Sequence, residues 1–475
     1  MGKKIKFGTD GWRAVISDEF TFENVEITAQ AIADFIKSQK SAIYKKRKIA
    51  VGYDTRFLSD KYAETLSCVL AANGIKVVLS DKPCPTPSVC IAIKDQKLTG
   101  GVMITASHNP YNYNGIKYKG FFAGSAGSDI IDKIEKKLYK TKVKSITLEE
   151  GIKTKKITFS NILKLHLGYI DRYADMKRLK NTKLKVLVDS MNGTGQKYFG
   201  QILKGTKIKL DFMNTEINPN FNNRPPEPNE KHLKGLMKNV KKGKYDLGVA
   251  TDGDSDRLAI VDEKGQILSG HKLMTLLFVH FLRNRRVSGG VVQTICGTGL
   301  IDKIAVEYGI KTYETPVGFK YICEIMGKKN ILIGGEETGG IGFKGYIPER
   351  DGFLSALLIM ELLSCEKKSL SKIVSEINQK YGNYVYERDD IVFPEAKRKM
   401  LISGLKKKPL AKVLDKKVVE IKAYDGVKFI CEDSSWLLIR LSGTEPKLRI
   451  YSETSSKKRS LEYLKFGRKY AFSLM

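Results

Sequence analysis

The sequence predicts an α/β protein of four domains, in which three similar mixed-sheet α/β domains precede a smaller α+β domain. At 475 residues the chain exceeds the size at which one hydrophobic core keeps growing. Short apolar runs alternate with amphipathic stretches along most of it, which is typical of β/α units with mainly parallel pairing. From about residue 384 this alternation gives way to short strand-like runs, which indicate a distinct C-terminal unit.

The predicted domains follow one another along the chain as residues 1–150, 155–265, 266–378 and 384–475. In the first domain, apolar and amphipathic periodicity predicts strands at 49–53, 76–79 and 101–104 and helices at 31–36 and 62–72. The second and third domains repeat the pattern, with strands at 184–189, 246–250, 290–294 and 330–333. The last domain has strand-like runs at 389–392, 417–421 and 436–440.

Composition excludes several classes of protein. The longest apolar stretches fall well short of the ~20 residues of a membrane span, and no apolar signal region follows the N-terminal lysines. Seven scattered cysteines without a C-x-x-C pair favour a reducing compartment, so we expect a cytoplasmic protein with buried, free cysteines. The net charge of +31 is spread over short runs without interleaved aromatic residues, which favours solvated lysine-rich faces over a nucleic-acid site.

The most informative segment is residues 100–110, GGVMITASHNP, where an apolar run ends in a small hydroxyl residue. Pro110 stops regular structure, so the pattern places Ser107 at the end of a strand. Ser107 lacks the G-x-S-x-G frame of serine hydrolases, and a serine hydroxyl is a poor nucleophile without help. We therefore expect another part of the chain to activate it.

A second loop, residues 250–257, carries carboxylates at alternate positions directly after a predicted strand. Asp252, Asp254 and Asp256 would repel one another unless a divalent cation lay between them, and oxygen ligands suit Mg²⁺. An EF-hand is the tempting alternative, but Arg257 stands where the calcium loop needs glycine and a strand pattern follows. A solvated acidic turn is the other alternative.

Two further loops have the composition of ligand sites. Residues 334–340, GGEETGG, offer Glu336, Glu337 and Thr338 for hydrogen bonds to vicinal sugar hydroxyls, although a plain glycine-rich turn has the same appearance. Residues 440–449 combine hydroxyls, glycine and basic side chains in one turn, which suits a phosphate dianion. The candidate phosphate ligands there are Arg440, Ser442, Gly443, Thr444 and Arg449.

Together the four loops supply a hydroxyl, a metal site, a polyol binder and a phosphate clamp. Phosphoryl transfer depends on positioning and charge neutralisation, so separate loops for these tasks indicate phosphoryl transfer on a sugar.

These motifs, in this order, resemble those of the α-D-phosphohexomutase superfamily, the phosphoglucomutases and phosphomannomutases. TASHNP resembles its phosphoserine loop, DGDSDR its metal loop, GEETG its sugar loop and SGTEP its phosphate loop. The segment FGTDGWR at residues 7–13 also resembles its opening motif. The resemblance implies four domains around a central cleft, the last of TBP-like α+β type.

The resemblance also implies a reaction and roles for particular residues. Ser107 would carry a phosphate, and Mg²⁺ would be held by Ser107, Asp252, Asp254 and Asp256. A hexose 1,6-bisphosphate would form as an intermediate. Lys117 would transfer protons, with a pKa that can fall beside a metal and arginines, and His108 could share this role or only bond within its loop. Arg13 would hold the phosphoserine, whereas Arg257 and Lys320 would bind the substrate.

Three positions depart from the motifs of many family members. Gly340 stands where many carry a histidine, so an acid–base role cannot be transferred to it. Thr338 replaces a commoner serine, and Leu441 replaces a proline.

The expected substrates are hexose phosphates, with glucose 1-phosphate and glucose 6-phosphate as the interconverted pair. Phosphomannomutase activity, alone or alongside, is the alternative. An inactive mutase scaffold that binds nucleic acid is a remote alternative that only the charge suggests. We expect no nucleic-acid or membrane partner and a monomer or homodimer.

Overall fold

A computed structural model describes residues 5–443 and 446–474. Four sheets follow one another along the chain, and the prediction of three mixed-sheet α/β domains and one α+β domain is confirmed. Among the described helices, none combines the length and apolar character that a membrane crossing requires. The seven cysteines are free, and all but the half-buried Cys365 are buried.

The first sheet has six strands in the order β1-β5-β4-β2-β3-β6. Its strands are β1 Trp12–Val15, β2 Lys48–Tyr53, β3 Lys76–Ser80, β4 Gly100–Ile104, β5 Tyr113–Gly120 and β6 Ile157–Ser160. The strands β4, β2, β3 and β6 run parallel, whereas β5 runs antiparallel to both β1 and β4. The helices of this part are α1 Phe22–Ser38, α2 Ala42–Lys45, α3 Ser59–Ala72, α4 Thr86–Gln96, α5 Ser128–Glu135 and α6 Leu148–Lys153.

One predicted boundary needs correction. The range 155–265 was predicted to be the second domain, yet β6 pairs with β3 as an edge strand of the first sheet. The chain leaves the first sheet only after Ser160, because the apolar side chain of Ile157 is buried in the first core.

The second sheet has the order β10-β9-β7-β8, and the third has the order β12-β11-β13-β14; in each, one edge strand is antiparallel. The second unit contains α7 Ile162–Tyr173, α8 Met176–Asn181, β7 Lys185–Asp189, α9 Tyr198–Ile202, β8 Lys209–Met213, α10 Lys234–Lys242, β9 Leu247–Thr251 and β10 Leu258–Asp262. The third contains α11 Gly270–His280, a π-helical turn Phe281–Arg285, β11 Gly290–Thr294, α12 Gly299–Glu307, β12 Thr312–Thr315, α13 Phe319–Lys328, β13 Ile331–Gly335, β14 Ile341–Phe343, α14 Gly352–Glu366 and α15 Leu370–Tyr381.

The last sheet is antiparallel throughout, in the order β15-β20-β19-β18-β17-β16. Its elements are β15 Val385–Val392, α16 Arg398–Lys407, β16 Lys412–Val413, β17 Lys416–Lys422, β18 Val427–Cys431, β19 Trp436–Leu441, β20 Lys447–Thr454 and α17 Lys457–Ser473. Short 3-10 turns lie at Phe221–Asn223 and Glu395–Lys397.

The hydrophobic cores divide the molecule unequally. One continuous apolar cluster includes buried side chains of the first three units, among them Val89 on α4, Ile170 on α7 and Phe353 on α14. Helix α14 is apolar on all sides, as expected for a helix enclosed by neighbours, and Asp351 caps its N-terminus by accepting from the Leu354 amide. The fourth unit has a core of its own, and a small apolar cluster that includes Ile295 and Trp436 packs it against the third unit.

Candidate functional site

Ser107 lies three residues beyond the end of β4, as predicted, and is fully buried. Its backbone is in the left-handed region, at φ 52°, which a residue with a Cβ adopts only when the surroundings enforce it. Its amide donates to Thr105 Oγ1 at 2.8 Å, and its hydroxyl donates to Asp252 Oδ2 at 2.9 Å. The hydroxyl of the first domain therefore meets the carboxylate of the second.

Arg56, which follows β2, holds the serine loop in this conformation. Its buried guanidinium pairs with Asp54, at 3.1 Å from Nε to Oδ2. The other donors go to four carbonyl oxygens of the loop, those of Ser107 at 2.6 Å, Asn109 at 2.7 Å, Pro110 at 2.7 Å and Tyr113 at 2.9 Å. Such a fixed fork of donors compensates for the strained backbone.

The acidic loop follows β9 directly, as predicted, and its three aspartates are buried. Gly253 lets it approach the serine loop, because a Cβ there would lie 2.5 Å from the carbonyl oxygen of Ser107. The solvated-turn alternative is wrong because the three aspartates are buried, and the EF-hand alternative is wrong because a strand, Leu258–Asp262, follows the loop.

The carboxylates of Asp252, Asp254 and Asp256 fit a divalent cation. One oxygen from each lies within 4.8 Å of the others. Among the described residues, Asp254 Oδ1 and Asp256 Oδ1 are buried without a hydrogen-bond partner, which leaves two acceptors for a metal. Burial and the two neighbouring carboxylates raise the pKa of Asp252 well above its usual range, which is the cost of assembling three carboxylates without a cation.

Lys117, on β5, reaches the same carboxylates from the first domain. Its Nζ lies 2.7 Å from Asp254 Oδ2, 3.0 Å from Asp256 Oδ2 and 2.9 Å from Asp10 Oδ2. Burial alone would lower the pKa of Lys117, but the three carboxylates outweigh it and raise the pKa. The expected fall of this pKa is therefore wrong for this arrangement of side chains, in which Lys117 is an ammonium.

His108 faces the cations of the site. Burial first, and then the charges of Arg257, Arg13 and Lys117, hold its pKa well below the usual range, so the ring is neutral. Its Nδ1 lies 3.0 Å from Arg257 Nη1, which can only donate, so Nδ1 accepts and Nε2 carries the proton. Arg13 on β1 donates to Asn109 Oδ1 at 2.9 Å and supports the same loop.

The sugar loop follows β13, as predicted. Burial raises the pKa of Glu336 to about 7, although the charge of Arg350 opposes the shift. Within the described part of the chain, Glu337 Oε2 and Thr338 Oγ1 are buried without hydrogen-bond partners. Lys320 lies at the start of α13, with its Nζ 5.1 Å from the centre of the Tyr321 ring.

The phosphate loop connects β19 to β20 in the last domain. Arg440 Nε lies 2.8 Å from Asp425 Oδ1, Ser442 is buried, and Gly443 is exposed. Arg449, on β20, lies 4.0 Å from Asp390 Oδ1. Thr444, also predicted to bind phosphate, lies outside the described residues.

Four residues of the site were not predicted from the sequence, three of them buried and one, Asp10, half-buried. Asp10 stands in the opening motif, and Thr86 donates to Asp254 Oδ2 from the start of α4. Arg56 and Arg350 hold the serine and acidic loops. The position of Arg56 just after β2 was a usable signal, whereas Arg350 has no local pattern that distinguishes it.

Comparisons with known proteins agree with this geometry. Models of the phosphoglucomutase/phosphomannomutase family match in order: alpha/beta/alpha domain I at residues 4–144, domain II at 166–265, domain III at 269–381 and the C-terminal domain at 369–465. Phosphoglucomutase/phosphomannomutase of Thermococcus kodakarensis is 32% identical over 98% of both chains. Phosphoglucosamine mutase of Nautilia profundicola is 30% identical over 96% of this chain and 97% of its own.

A solved structure shows the same arrangement. The crystal structure of a Thermus thermophilus protein, described as a phosphomannomutase, superposes with a TM-score of 0.86 at 30% identity over 99% of both chains. With all four domain models matched and relatives aligned over almost its whole length, the chain belongs to the phosphoglucomutase/phosphomannomutase family of phosphohexomutases.

Proposed function

We propose that this phosphohexomutase moves a phosphate between the 1- and 6-positions of a hexose through Ser107, with glucose phosphates as the principal substrates. The observation that carries the proposal is the 2.9 Å contact between Ser107 Oγ and Asp252 Oδ2 beside three clustered carboxylates. A hydroxyl in that position is suited to accept and return a phosphate rather than to attack carbon.

Asp252, Asp254 and Asp256 would hold Mg²⁺, together with a phosphate oxygen on Ser107. A bound Mg²⁺ supplies charge neutralisation to the transferring phosphate. Lys117 and Thr86 occupy Asp254 Oδ2, which leaves Oδ1 of that carboxylate for the cation. The protein thus orients Asp254 through the oxygen that the metal would not use.

In each half-reaction one phosphorus–oxygen bond breaks and one forms. The phosphate leaves Ser107 Oγ for a free sugar hydroxyl, whose proton ends on Oγ, and a hexose 1,6-bisphosphate results. After the sugar turns, its other phosphate returns to Oγ and the proton returns to the sugar. The Lys117 ammonium is placed to stabilise charge on the oxygens near the acidic loop.

The sugar and the second phosphate would be held on the other side of the site. Glu336, with the unpartnered Glu337 Oε2 and Thr338 Oγ1, offers hydrogen bonds to sugar hydroxyls. Arg440, Ser442, Gly443 and Arg449 would bind the phosphate that is not reacting, and Lys320 would assist.

Mannose phosphates are the second candidate, because the Thermococcus relative is named for both activities. The Nautilia relative is named for glucosamine phosphate, so the comparisons support the class of reaction without selecting glucose. The neutral sugar is favoured by the likeness of the Glu336 and Lys320 segments to those of phosphoglucomutases. We expect kcat/KM to be highest for glucose 1-phosphate when it is compared with mannose 1-phosphate and glucosamine 1-phosphate under Mg²⁺ and the matching bisphosphate.

The phosphate relay is tested with Ser107→Ala. We expect kcat to fall by at least about 10⁴-fold, because no hydroxyl is left to carry the phosphate. Intact mass of protein treated with the bisphosphate should show one added phosphate that Ser107→Ala lacks. Ser67→Ala, which removes a buried hydroxyl on α3, is the matched control and should keep both the phosphate and the rate. A phosphorylated and active Ser107→Ala would exclude the relay.

A further inference from the structure

A single buried arginine, Arg350, joins the three domains that form the site. Its side chain is 2% exposed, and its Nη2 lies 2.8 Å from Asp10 Oδ2 and 2.9 Å from Asp256 Oδ2. Nη1 lies 3.5 Å from Glu336 Oε2, and Nε lies 3.2 Å from Glu349 Oε1. Asp10 belongs to the first domain, Asp256 to the second and Glu336 to the third.

Two further contacts fix Arg350, one at its guanidinium and one at the neighbouring residue in the chain. The guanidinium lies over the Phe319 ring, with Cζ 5.2 Å from the ring centre. The next residue, Asp351, caps α14 and pairs with His166, at 2.6 Å from Oδ2 to Nε2. A planar fork fixed in this way sets the position of several carboxylates at once, which the point charge of a lysine cannot do.

Gly340 provides the space that the stem of Arg350 occupies. A Cβ on Gly340 would lie 2.4 Å from Arg350 Cδ and 3.0 Å from Cγ, so even alanine would push the stem away. Gly340 is also the position at which the sequence departs from the histidine of many family members. Arg350, ten residues further along the chain, thus fills the space that a side chain at position 340 would need.

We propose that Arg350 is a positioning residue for phosphoryl transfer, which orients Asp256, Asp10 and Glu336 across three domains, and that glycine at position 340 is required for it. The proposal rests on the proposed phosphate relay for its effect on rate. Arg350 and Lys117 both bind Asp256 Oδ2, so Oδ1 is left for a cation. Asp10, held by Arg350, in turn contacts the Lys117 ammonium.

The experiment is a double-mutant cycle with Gly340→Ala, Arg350→Met and both together. We expect each single variant to lower kcat about 30- to 100-fold at saturating Mg²⁺ and glucose 1-phosphate, because a displacement of about 1 Å can cost about 10²-fold. The KM should change less than about threefold. The double variant should stay within about threefold of Arg350→Met, since the methyl group no longer displaces an arginine.

Two further variants separate positioning from loss of stability. Arg350→Lys keeps the charge and should recover part of the lost kcat. Arg285→Met removes another arginine of the third domain. Nη2 of Arg285 lies 2.7 Å from Oε2 of Glu361 on α14, and this pair is not part of the acidic loop. This substitution should lower the melting temperature and leave kcat within about twofold of the wild type.

Several outcomes would overturn the proposal: multiplicative effects of the two substitutions, wild-type kcat in Arg350→Met, or an equal loss of kcat in Arg285→Met. If Arg350→Met does not fold, Gly340→Ala and Arg350→Lys decide, because the charge is kept in both. The melting temperatures of the same variants measure the coupling between positions 340 and 350 without any substrate. If the melting temperatures show coupling between positions 340 and 350 but Ser107→Ala stays active, the phosphate relay is refuted, whereas the contact between Gly340 and Arg350 stands.

Discussion

We propose that the serine and acidic loops and the phosphate loop all bind phosphate, yet the two regions are built in opposite ways. Ser107 and Asp252 are fully buried and are joined by a hydrogen bond between domains that share one hydrophobic core. Ser107 has a left-handed backbone, and Asp252 lies beside two other carboxylates. The phosphate loop belongs to a domain with its own core, Gly443 is exposed, and Arg440 pairs with Asp425 of the same domain.

The difference follows from what each region must do. Bond making needs reacting groups held to within a fraction of an ångström, which requires side chains locked by packing and by fixed partners. Capture of a phosphate needs positive charge and donors that stay accessible. We therefore expect changes in the first region to lower kcat and changes in the second to raise KM.

Among variants that keep Ser107, the largest effect should come from Lys117→Met, which removes the ammonium between three carboxylates. We expect kcat to fall about 10³-fold, at the upper end of the range of about 10²–10³ for loss of one group that stabilises transition-state charge. Lys119→Met is the matched control on the same strand, because Lys119 pairs with Glu349 at 2.6 Å instead of with the acidic loop. It should lower the melting temperature with a loss of kcat below about tenfold. Equal losses in both variants would remove the special position of Lys117.

Alanine substitutions at two glycines, one in each region, test the comparison directly. Gly253→Ala would place a Cβ 2.5 Å from the Ser107 carbonyl oxygen, so the loops must separate, and we expect kcat to fall about 10²-fold. At Gly443 the added Cβ meets no atom of the described residues within 4 Å. Gly443→Ala should change kcat less than about threefold and act only on KM. Steady-state kinetics measures both, and a reversed order would contradict the comparison.

Arg440→Met should raise KM for the sugar phosphate about 10- to 100-fold, which corresponds to one lost charged hydrogen bond of about 1.5–3 kcal/mol. We expect kcat to change less than about threefold. Arg468→Met removes an equal charge from the surface of the same domain, where Arg468 lies 3.7 Å from Asp389, and should leave KM unaltered. A fall in kcat larger than the rise in KM would place Arg440 among the catalytic groups.

The smallest effect concerns pH. The pKa of Glu336 is raised to about 7 by burial, so this carboxyl is protonated below pH 7 and ionised above. A carboxylate accepts hydroxyl hydrogen bonds better than the acid does, so KM should fall about threefold as pH rises through 7. The part of this change that belongs to Glu336 should vanish in Glu336→Gln, whereas titration of the substrate's own phosphate is common to both proteins.

The same shift affects stability with a defined sign. The folded protein holds a proton on Glu336 that the unfolded chain releases near its usual pKa of 4.5. The stabilisation that this proton adds to the free energy of unfolding is fully present below pH 4.5 and is lost as pH rises through about 7. Relative to the wild type, Glu336→Gln should therefore gain stability between pH 5 and pH 8 in thermal unfolding.

The sequence by itself determined the fold class and the loops at the strand ends. Alternating apolar runs predicted β4, β9 and β13, and the polar residues that follow such strands predicted Ser107, the aspartates and Glu336. These signals are local, because a strand and the turn after it are encoded within about ten residues. The edge strand Ile157–Ser160 was assigned to the wrong domain, since its pairing with β3 depends on a distant segment.

Only the tertiary structure decided how the loops are held and charged. Arg350 meets Asp10 from 340 positions earlier in the chain, and Lys117 becomes a paired ammonium only because Asp254 and Asp256 arrive from another domain. Burial and Coulomb interactions depend on distances in space, which spacing along the chain does not encode. The residues that we propose to carry the chemistry were therefore visible in the sequence, whereas the residues that contact and orient them became visible only once three domains had packed together.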